Sequence, residues 1–249
     1  MYMENETLIR TATGFRRGEY HMIEEQPCQD YTDSLKGEKI NSVALSDGAG
    51  SRKLSHFASK KAVDWGMRFL VNNFEYIWYE YLNDSDKLIN TIADSGRNIF
   101  LGLDIPYEEC CCTLLAVAVH DDGRWIAIHI GDGGIFIQNK EINLLSKPEN
   151  GTDPSVTYFL NEDISNEHIR LYVGQGDNIK FLLTSDGCFE SLYDLKNACA
   201  APAVGKMLYW LDVCSEEECE ELLAIELEDT FAIRNEDDLS IAMISYAKK

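Results

Sequence analysis

Residues 44–51 read Ala44-Leu45-Ser46-Asp47-Gly48-Ala49-Gly50-Ser51. With Val43, the first of these residues form an apolar run of strand length that stops at an aspartate followed by glycine. The same order recurs at Asp132, after the run 126–130, and at Asp186, after the run 181–184. An acidic pair, Asp237-Asp238, stands directly before a further apolar run at 239–244. The chain therefore has four aspartates that each stand beside one end of a predicted strand.

These carboxylates suit a site for a divalent cation. Side chains at strand ends project into a common crevice at the edge of a sheet, and a following glycine lets the backbone turn and bring its carbonyl close to a ligand. Carboxylate and carbonyl oxygens are the ligands that Mg²⁺ and Mn²⁺ prefer. A single Asp-Gly is also a common turn dipeptide, so the prediction depends on the ordered set.

Apolar periodicity predicts the elements around these residues. Strands are expected at 43–45, 114–119, 125–130, 135–137, 181–183 and 239–244, and Asp121-Asp122-Gly123 is a hairpin turn signal. Helical spacing covers 55–74, 84–101, 202–211 and 215–227, the last with a capping box at Ser215 and Glu218. Neighbouring strands with segregated helices indicate an α+β fold with antiparallel sheets. Residues 146–170 have weak periodicity and are expected to form an extended loop or a small subdomain.

Composition limits the classes of partner. The chain has 249 residues with 22 Lys+Arg against 43 Asp+Glu, a formal net charge of −21. This balance argues against binding to nucleic acid or to an anionic membrane surface, which both require basic residues. We expect a single domain over residues 1–249. The acidic start at residues 1–6 lacks a signal-peptide pattern, and without a long apolar run a cytoplasmic protein is expected.

Eight cysteines occur in the chain, three of them adjacent at 110–112, and no pair has CxxC spacing. Reduced thiols with packing roles are the favoured interpretation. A zinc site that combines residues 110–112 with Cys214 and Cys219 is an open alternative.

Taken in order, the motifs resemble the protein phosphatase 2C family of metal-dependent serine/threonine phosphatases, in its compact bacterial branch. The resemblance runs from about Thr11 to Tyr246. It rests on these segments, each similar to a family motif: Tyr20-His21 leading to Cys28-Gln29-Asp30, Ser46-Asp47-Gly48, Cys112-Thr113-Leu114, Gly131-Asp132-Gly133, Ser185-Asp186-Gly187 and Asp237-Asp238-Leu239.

The resemblance implies a fold and a set of metal ligands. The fold is a four-layer α-β-β-α sandwich, with two stacked, mainly antiparallel sheets between helices. By position, Asp47 would bridge two Mn²⁺ or Mg²⁺ ions, with the Gly48 carbonyl, Asp186 and Asp237 completing the ligands of the first. Asp30 would hold the second ion through water, beside Gln29 where many relatives have Glu. Asp132 and Glu190 match a third, weaker site.

The implied activity is that of a phosphoprotein phosphatase. A hydroxide that bridges the two ions would hydrolyse phosphoserine or phosphothreonine, with Asp47, Asp186 and Asp237 as the catalytic carboxylates. The substrate would be a phosphoprotein made by a serine/threonine kinase. No cysteine nucleophile is implied, and residues 146–170 fall where the family carries a variable flap.

The chain departs from the family pattern at the phosphate-binding and proton-donating positions. Glu24-Glu25 stand where many members have an arginine, so we expect His21 to bind the substrate phosphate, with Arg16 or Arg17 as alternatives. Ala49 replaces the histidine that is the expected leaving-group acid of eukaryotic relatives. Two other interpretations therefore stay open: a pseudophosphatase that acts as a signalling or scaffold domain, and a phosphatase of small molecules.

Overall fold

The computed structural model describes residues 7–151, 157–161 and 163–248, so the acidic start of the chain lies outside it. The strands in the described residues are β1 (Thr7–Arg16), β2 (Tyr31–Lys36), β3 (Ile40–Ser46), β4 (Leu114–His120), β5 (Arg124–Ile130), β6 (Gly134–Gln138), β7 (Ile142–Ser146), β8 (Arg170–Gln175), β9 (Asn178–Thr184), β10 (Tyr193–Asp194), β11 (Cys199–Ala200) and β12 (Leu239–Lys248). The helices are α1 (Glu19–Ile23), α2 (Ser55–Asn83), α3 (Ser85–Arg97), α4 (Asp186–Leu192), α5 (Pro202–Val213) and α6 (Glu216–Glu226).

Two antiparallel five-stranded sheets form the centre of the molecule. Sheet A has the order β1-β12-β9-β6-β7 and sheet B the order β2-β3-β4-β5-β8. In the described residues the only other pairing of named strands is the short ribbon β10-β11. Helices α2 and α3 cover sheet B, and α4, α5 and α6 cover sheet A. The expected α-β-β-α sandwich of the α+β class is confirmed.

Strand β4 shows how the sequence encodes these layers. Leu114, Ala116 and Ala118 pack with the helices over sheet B, whereas Leu115, Val117 and Val119 pack between the two sheets. Both faces of the strand are buried, and each of these six side chains is 0% exposed. A strand covered on both faces has a continuous apolar run instead of an alternating pattern.

The predicted helices and strands are present, but helix α2 is longer than predicted and further elements were not predicted. Helix α2 continues to Asn83 instead of ending at 74, because Ile77, Trp78 and Tyr81 extend its buried stripe. The elements that were not predicted are strands β1, β2, β7, β8, β10 and β11 and helices α1 and α4. Helix α6 begins after Ser215, whose hydroxyl accepts a hydrogen bond from the Glu218 backbone while the Glu218 carboxylate accepts one from Ser215, so the predicted capping box is confirmed.

The connection from β7 to β8 crosses from sheet A to sheet B and corresponds to the loop expected at 146–170. Among its described residues, regular structure is limited to the 3₁₀ turn Asn166–His168 and isolated bridges. Leu160 anchors the loop, since it is fully buried in the core between sheet B and its helices.

The cysteines lie in separate layers of the sandwich. Cys110 and Cys112 belong to the core under α2, whereas Cys219 belongs to the core on the opposite side, under α5 and α6. The alternative of a zinc site that joins them is therefore wrong. No disulfide links any of the eight cysteines, all of which lie in the described ranges.

None of the described helices combines the length and the apolar character needed to cross a membrane.

Candidate metal centre

A cavity of about 350 Å³ opens at one end of the sandwich, where strands from both sheets end. Asp47 and Asp132 follow β3 and β5 of sheet B, whereas Asp186 follows β9 and Asp237 precedes β12 in sheet A. All four carboxylates line the cavity. The predicted convergence of the strand-end aspartates is thus present in the fold.

Three of these side chains are close enough to share one cation. Oxygen atoms of Asp47, Asp132 and Asp186 all lie within 4.8 Å of one another. Asp237 is the most exposed of the four and lies at the mouth of the cavity. A cluster of hard oxygen donors of this kind is chemically suited to Mg²⁺ or Mn²⁺.

Asp47 is held in place by Thr113 at the start of β4. The Asp47 backbone N–H donates to Thr113 Oγ1 at 2.9 Å, and the Thr113 N–H donates to the Asp47 carbonyl at 2.7 Å. The next residue must be glycine, since a Cβ at Gly48 would lie 2.7 Å from Ser55 Oγ. These contacts give the Cys112-Thr113 motif its physical role, which is to orient Asp47.

Asp186 is positioned by the pairing of two neighbouring serines. The Ser240 N–H donates to Ser185 Oγ, and the Ser185 N–H donates to the Ser240 carbonyl, both at 3.1 Å. Asp186 then begins α4 and sits at its N-terminus.

Asp30 lies behind the cavity wall and is 2% exposed. Ser240 Oγ donates to its Oδ2 at 2.5 Å, and its Oδ1 is buried without a hydrogen-bond partner among the described residues. Burial, opposed by this hydrogen bond and reinforced by the charge of Asp238, raises the pKa of Asp30 to about 8.

The other carboxylates of the cavity also hold their protons more tightly than free aspartate. Burial, together with the charges of Asp30 and Asp186, raises the pKa of Asp47 well above its usual range. Burial and the charges of Asp132 and Asp237 raise the pKa of Asp186 to about 6. Like charges at this density repel one another unless a cation neutralises them. The donor set and the unpartnered Oδ1 of Asp30 therefore fit divalent metal ions.

Asp238 was not predicted as a site residue, although it organises the side of the cavity that His21 lines. Its buried carboxylate accepts from the backbone N–H groups of Gly18 at 2.6 Å and Gln29 at 2.5 Å. Its Oδ2 also lies 2.9 Å from Nδ1 of His21, which is 4% exposed and lines the cavity. The available signal was its position directly after Asp237 and directly before the apolar run at 239–244.

Some predicted residues lie elsewhere. Glu190 is exposed one turn after Asp186 on α4 and does not line the cavity. Arg16 is paired with Glu228, and Arg17 donates to the His21 carbonyl, so neither alternative to His21 faces the cavity. In the described part of the chain, no lysine or arginine lines it.

The loop between β7 and β8 reaches the site. Thr157 and Phe159 line the cavity, and the Thr157 hydroxyl donates to Asp132 Oδ2. The base of the loop is fixed by Arg170, which donates to the Gly131 carbonyl at 2.7 Å beside Asp132.

Residues 17–228 match the sequence model of the family described as protein phosphatase 2C. The chain belongs to this family. A search of curated proteins found no match.

Solved structures share the fold at low identity. The serine/threonine phosphatase Stp1 from Staphylococcus aureus is 16% identical, with a TM-score of 0.65 over 100% of this chain and 98% of that one. The catalytic domain of the serine/threonine protein phosphatase PstP, solved with two manganese ions, is 15% identical, with a TM-score of 0.60 over 98% and 100%. RsbX, solved with magnesium, is 15% identical, with a TM-score of 0.58 over 98% of both chains. This protein phosphatase 2C chain thus has the fold of bacterial serine/threonine phosphatases.

Proposed function

We propose that the chain is an active Mn²⁺- or Mg²⁺-dependent phosphatase that hydrolyses phosphoserine and phosphothreonine in proteins. The observation that carries this proposal is the convergence of Asp47, Asp132, Asp186 and Asp237 from both sheets into one cavity. A scaffold has no use for clustered carboxylates that repel one another, whereas a metal centre requires them. The metals bound to PstP and RsbX, which share the fold, support the same interpretation.

The proposed ligands are assigned by their positions in the family motifs, and their convergence on one cavity supports the assignment. Asp47, the Gly48 carbonyl, Asp186 and Asp237 would hold one ion, and Asp47 with Asp30, acting through water, a second. Asp132 would hold a third, weaker ion, for which Glu190 would have to turn toward the cavity from its exposed position. Divalent cations supply Lewis acidity to this chemistry: they neutralise phosphate charge and acidify water.

His21 is the residue of the chain proposed to bind the substrate phosphate. Asp238 holds Nδ1 of its ring, which leaves Nε2 as the nitrogen available to the cavity. With Nδ1 against the Asp238 carboxylate, His21 would donate from its Nε2–H to a phosphate oxygen. Because the described cavity lining contains no lysine or arginine, this donor and the metal ions would together balance the phosphate charge.

Direct hydrolysis is proposed, without a phosphocysteine intermediate. Cys188 is fully buried, and burial together with the charge of Asp30 raises the pKa of its thiol well above the usual value. Burial likewise raises the pKa of Cys28. A cysteine nucleophile must be a thiolate, and both residues are held as thiols. The substrate is proposed to be a cytoplasmic phosphoprotein made by a serine/threonine kinase.

The test is phosphate release from a phosphothreonine peptide with Mn²⁺, with Mg²⁺ and after EDTA. We expect release that requires metal and falls by orders of magnitude in Asp47→Asn and Asp186→Asn. Asp104→Asn is the matched control, since Asp104 is exposed and lies outside the cavity. Mn²⁺ binding without release from any phosphopeptide would instead support the pseudophosphatase interpretation. Release from small phosphate esters alone would support a small-molecule phosphatase.

A further inference from the structure

A second groove opens directly off the candidate metal centre. It has a volume of about 410 Å³ and is lined by Tyr20, His21, Gly50, Asn235, Glu236 and Asp237. His21, Gly50 and Asp237 line the cavity as well, so the groove borders the cavity. A peptide whose phosphorylated residue enters the cavity would place a neighbouring side chain in this groove.

The walls of the groove are fixed before any substrate arrives. The Tyr20 N–H donates to the Glu236 carbonyl at 3.2 Å, which joins α1 to the segment before β12. Asn235 Nδ2 donates to the Gly187 carbonyl at 3.0 Å, and Asn235 Oδ1 accepts from the Asp237 N–H at 3.0 Å. Side-chain recognition by such a groove does not require the walls to become ordered first.

The chemistry of the walls selects for a cation. Tyr20 lines the groove and is 58% exposed, so its aromatic ring is accessible. Glu236 is exposed, and its carboxylate forms no ion pair or hydrogen bond with any described residue. The lining contains no lysine or arginine that could compensate its charge. A carboxylate and an exposed aromatic ring that line one groove can together recognise an ammonium or guanidinium group.

We propose that this groove, which we call the Tyr20–Glu236 groove, binds a lysine or arginine side chain next to the phosphorylated residue. The protein would therefore prefer phosphoserine and phosphothreonine sites with a basic neighbour. The proposal rests on the proposed function and names the substrate class for the same site. The occupant is a side chain of the substrate, because the groove borders the cavity and its charge complements a cation.

The experiment compares kcat/KM for phosphothreonine peptides of equal length in the presence of Mn²⁺. The residues one and two positions before and after phosphothreonine are varied in turn among Lys, Ala, Leu and Glu. We expect Lys to exceed Glu by about three- to tenfold at one or more of these positions, the range for one exposed ion pair with a cation–π contact. The ratio should fall as salt is raised, because exposed charges are screened.

Substitutions of Glu236 test whether the Tyr20–Glu236 groove causes the preference for a basic neighbour. Glu236→Lys should reverse the order of the Lys and Glu peptides, and Glu236→Gln should give an intermediate ratio. Glu236 is next to Asp237, so its substitution could lower activity toward every peptide. The ratio of kcat/KM for the Lys and Glu peptides, measured on the same variant, is independent of such a general loss. Glu38→Lys is the matched control, because Glu38 is exposed in the turn between β2 and β3, at the end of sheet B away from Asp47. It should keep the wild-type ratio.

The outcomes separate the two proposals. If the wild type releases phosphate from none of the peptides, the proposed function fails. If it hydrolyses all of them equally, the proposed function stands and the groove inference is overturned. A preference for Leu would overturn it as well, and would point to the exposed apolar side chains of α1, such as Ile23. A Lys preference that survives Glu236→Lys would show that other surface carboxylates cause it, which also overturns the inference.

Discussion

At the scale of single residues, Asp238 links three parts of the site through one buried carboxylate. It accepts from Gly18, His21 and Gln29, which fixes the start of α1, the proposed phosphate ligand and the segment that carries Asp30. A carboxylate can accept from several donors at once, whereas the Nδ2 group of an amide can only donate. Asp238 therefore satisfies contacts that an asparagine could not satisfy in full.

We expect Asp238→Asn to destabilise the protein and to raise KM for phosphopeptides. At least one donor would lose its buried acceptor, which costs about 1–3 kcal/mol in the free energy of unfolding. His21 would lose the carboxylate that holds its ring, so phosphate binding should weaken more than turnover at saturation. Urea denaturation and steady-state kinetics measure the two effects, with Asp104→Asn as control. Unchanged KM and stability would contradict this role of Asp238.

The raised pKa values make stability of the metal-free protein depend on pH. Folding raises the pKa of Asp30 to about 8, whereas an unfolded aspartate titrates near 3.9. Between these values the folded state holds a proton that the unfolded state has lost, so stability falls as pH rises. Burial and the charge of Arg170 lower the pKa of His129 well below its usual value. In the unfolded protein the same side chain takes up a proton near pH 6.5.

Between pH 6.5 and 8 the buried carboxylates therefore lower the stability as pH rises, whereas the lowered pKa values of His56 and His129 act in the opposite direction near pH 6.5. Without metal, the free energy of unfolding should fall by up to about 1.4 kcal/mol per pH unit for each such carboxylate. Asp30→Asn should flatten this dependence, because it removes the group that titrates near 8. Denaturant titrations in EDTA at several pH values measure the slope. A slope that is the same in Asp30→Asn and in the wild type would contradict the assignment.

The order of the motifs predicted which carboxylates meet, but it could not predict how they are held. Asp47, Asp132, Asp186 and Asp237 were each marked by an adjacent strand end and line one cavity. The contact from Ser240 to Asp30 joins residues 210 positions apart, and that from Gln29 to Asp238 spans 209. No local pattern marks such pairs, since they form only when both sheets are in place.

At the scale of elements, the position of a strand in its sheet decided whether the sequence revealed it. In the two five-stranded sheets, the six predicted strands, β3, β4, β5, β6, β9 and β12, are the interior strands, and the four that were missed, β1, β2, β7 and β8, are the edges. The short ribbon β10-β11 was missed as well. Interior strands have neighbours on both sides and long buried runs. Edge strands are partly exposed, so their sequences mix polar with apolar residues and give a weaker signal.

The packing of α4 against the segment before β12 depends on a glycine. A Cβ at Gly187 would lie 2.4 Å from the Asp238 carbonyl oxygen, which is closer than real contacts allow. Because Asp186 and Asp237 flank this approach, we expect Gly187→Ala to separate them and to weaken Mn²⁺ affinity and activity by at least tenfold, the effect of about 1.4 kcal/mol.

Calorimetric titration with Mn²⁺ and phosphatase assays measure these effects. Gly205→Ala is the matched control, since Gly205 lies in α5 and an added Cβ would meet only the flexible end of Ile142. Alanine is favoured over glycine in a helix, so this control should fold at least as well as the wild type. Full Mn²⁺ affinity in Gly187→Ala would show that the backbone there can move without disturbing the site.

At the scale of the whole molecule, the candidate metal centre joins the two sheets. Asp47 and Asp132 come from sheet B, and Asp186 and Asp237 from sheet A, so bound ions would cross-link the layers of the sandwich. Composition and periodicity predicted antiparallel sheets with segregated helices, but the stacking of the sheets followed only from the resemblance to the family. The layer order depends on contacts between distant strands, which a one-dimensional pattern does not specify.

Metal should therefore stabilise the whole fold and not only the loops around the cavity. A ligand at 100 times its dissociation constant stabilises a folded protein by about 2.7 kcal/mol for one site. With a net charge of −21, cations that bind inside the carboxylate cluster also reduce the repulsion that opposes folding. Saturating Mn²⁺ should raise the midpoint of both thermal and urea unfolding, and EDTA should reverse the shift. In Asp47→Asn the shift should largely vanish, whereas Asp104→Asn should retain it. A shift of the same size in Asp47→Asn would mean that Mn²⁺ stabilises the protein from some other part of its acidic surface.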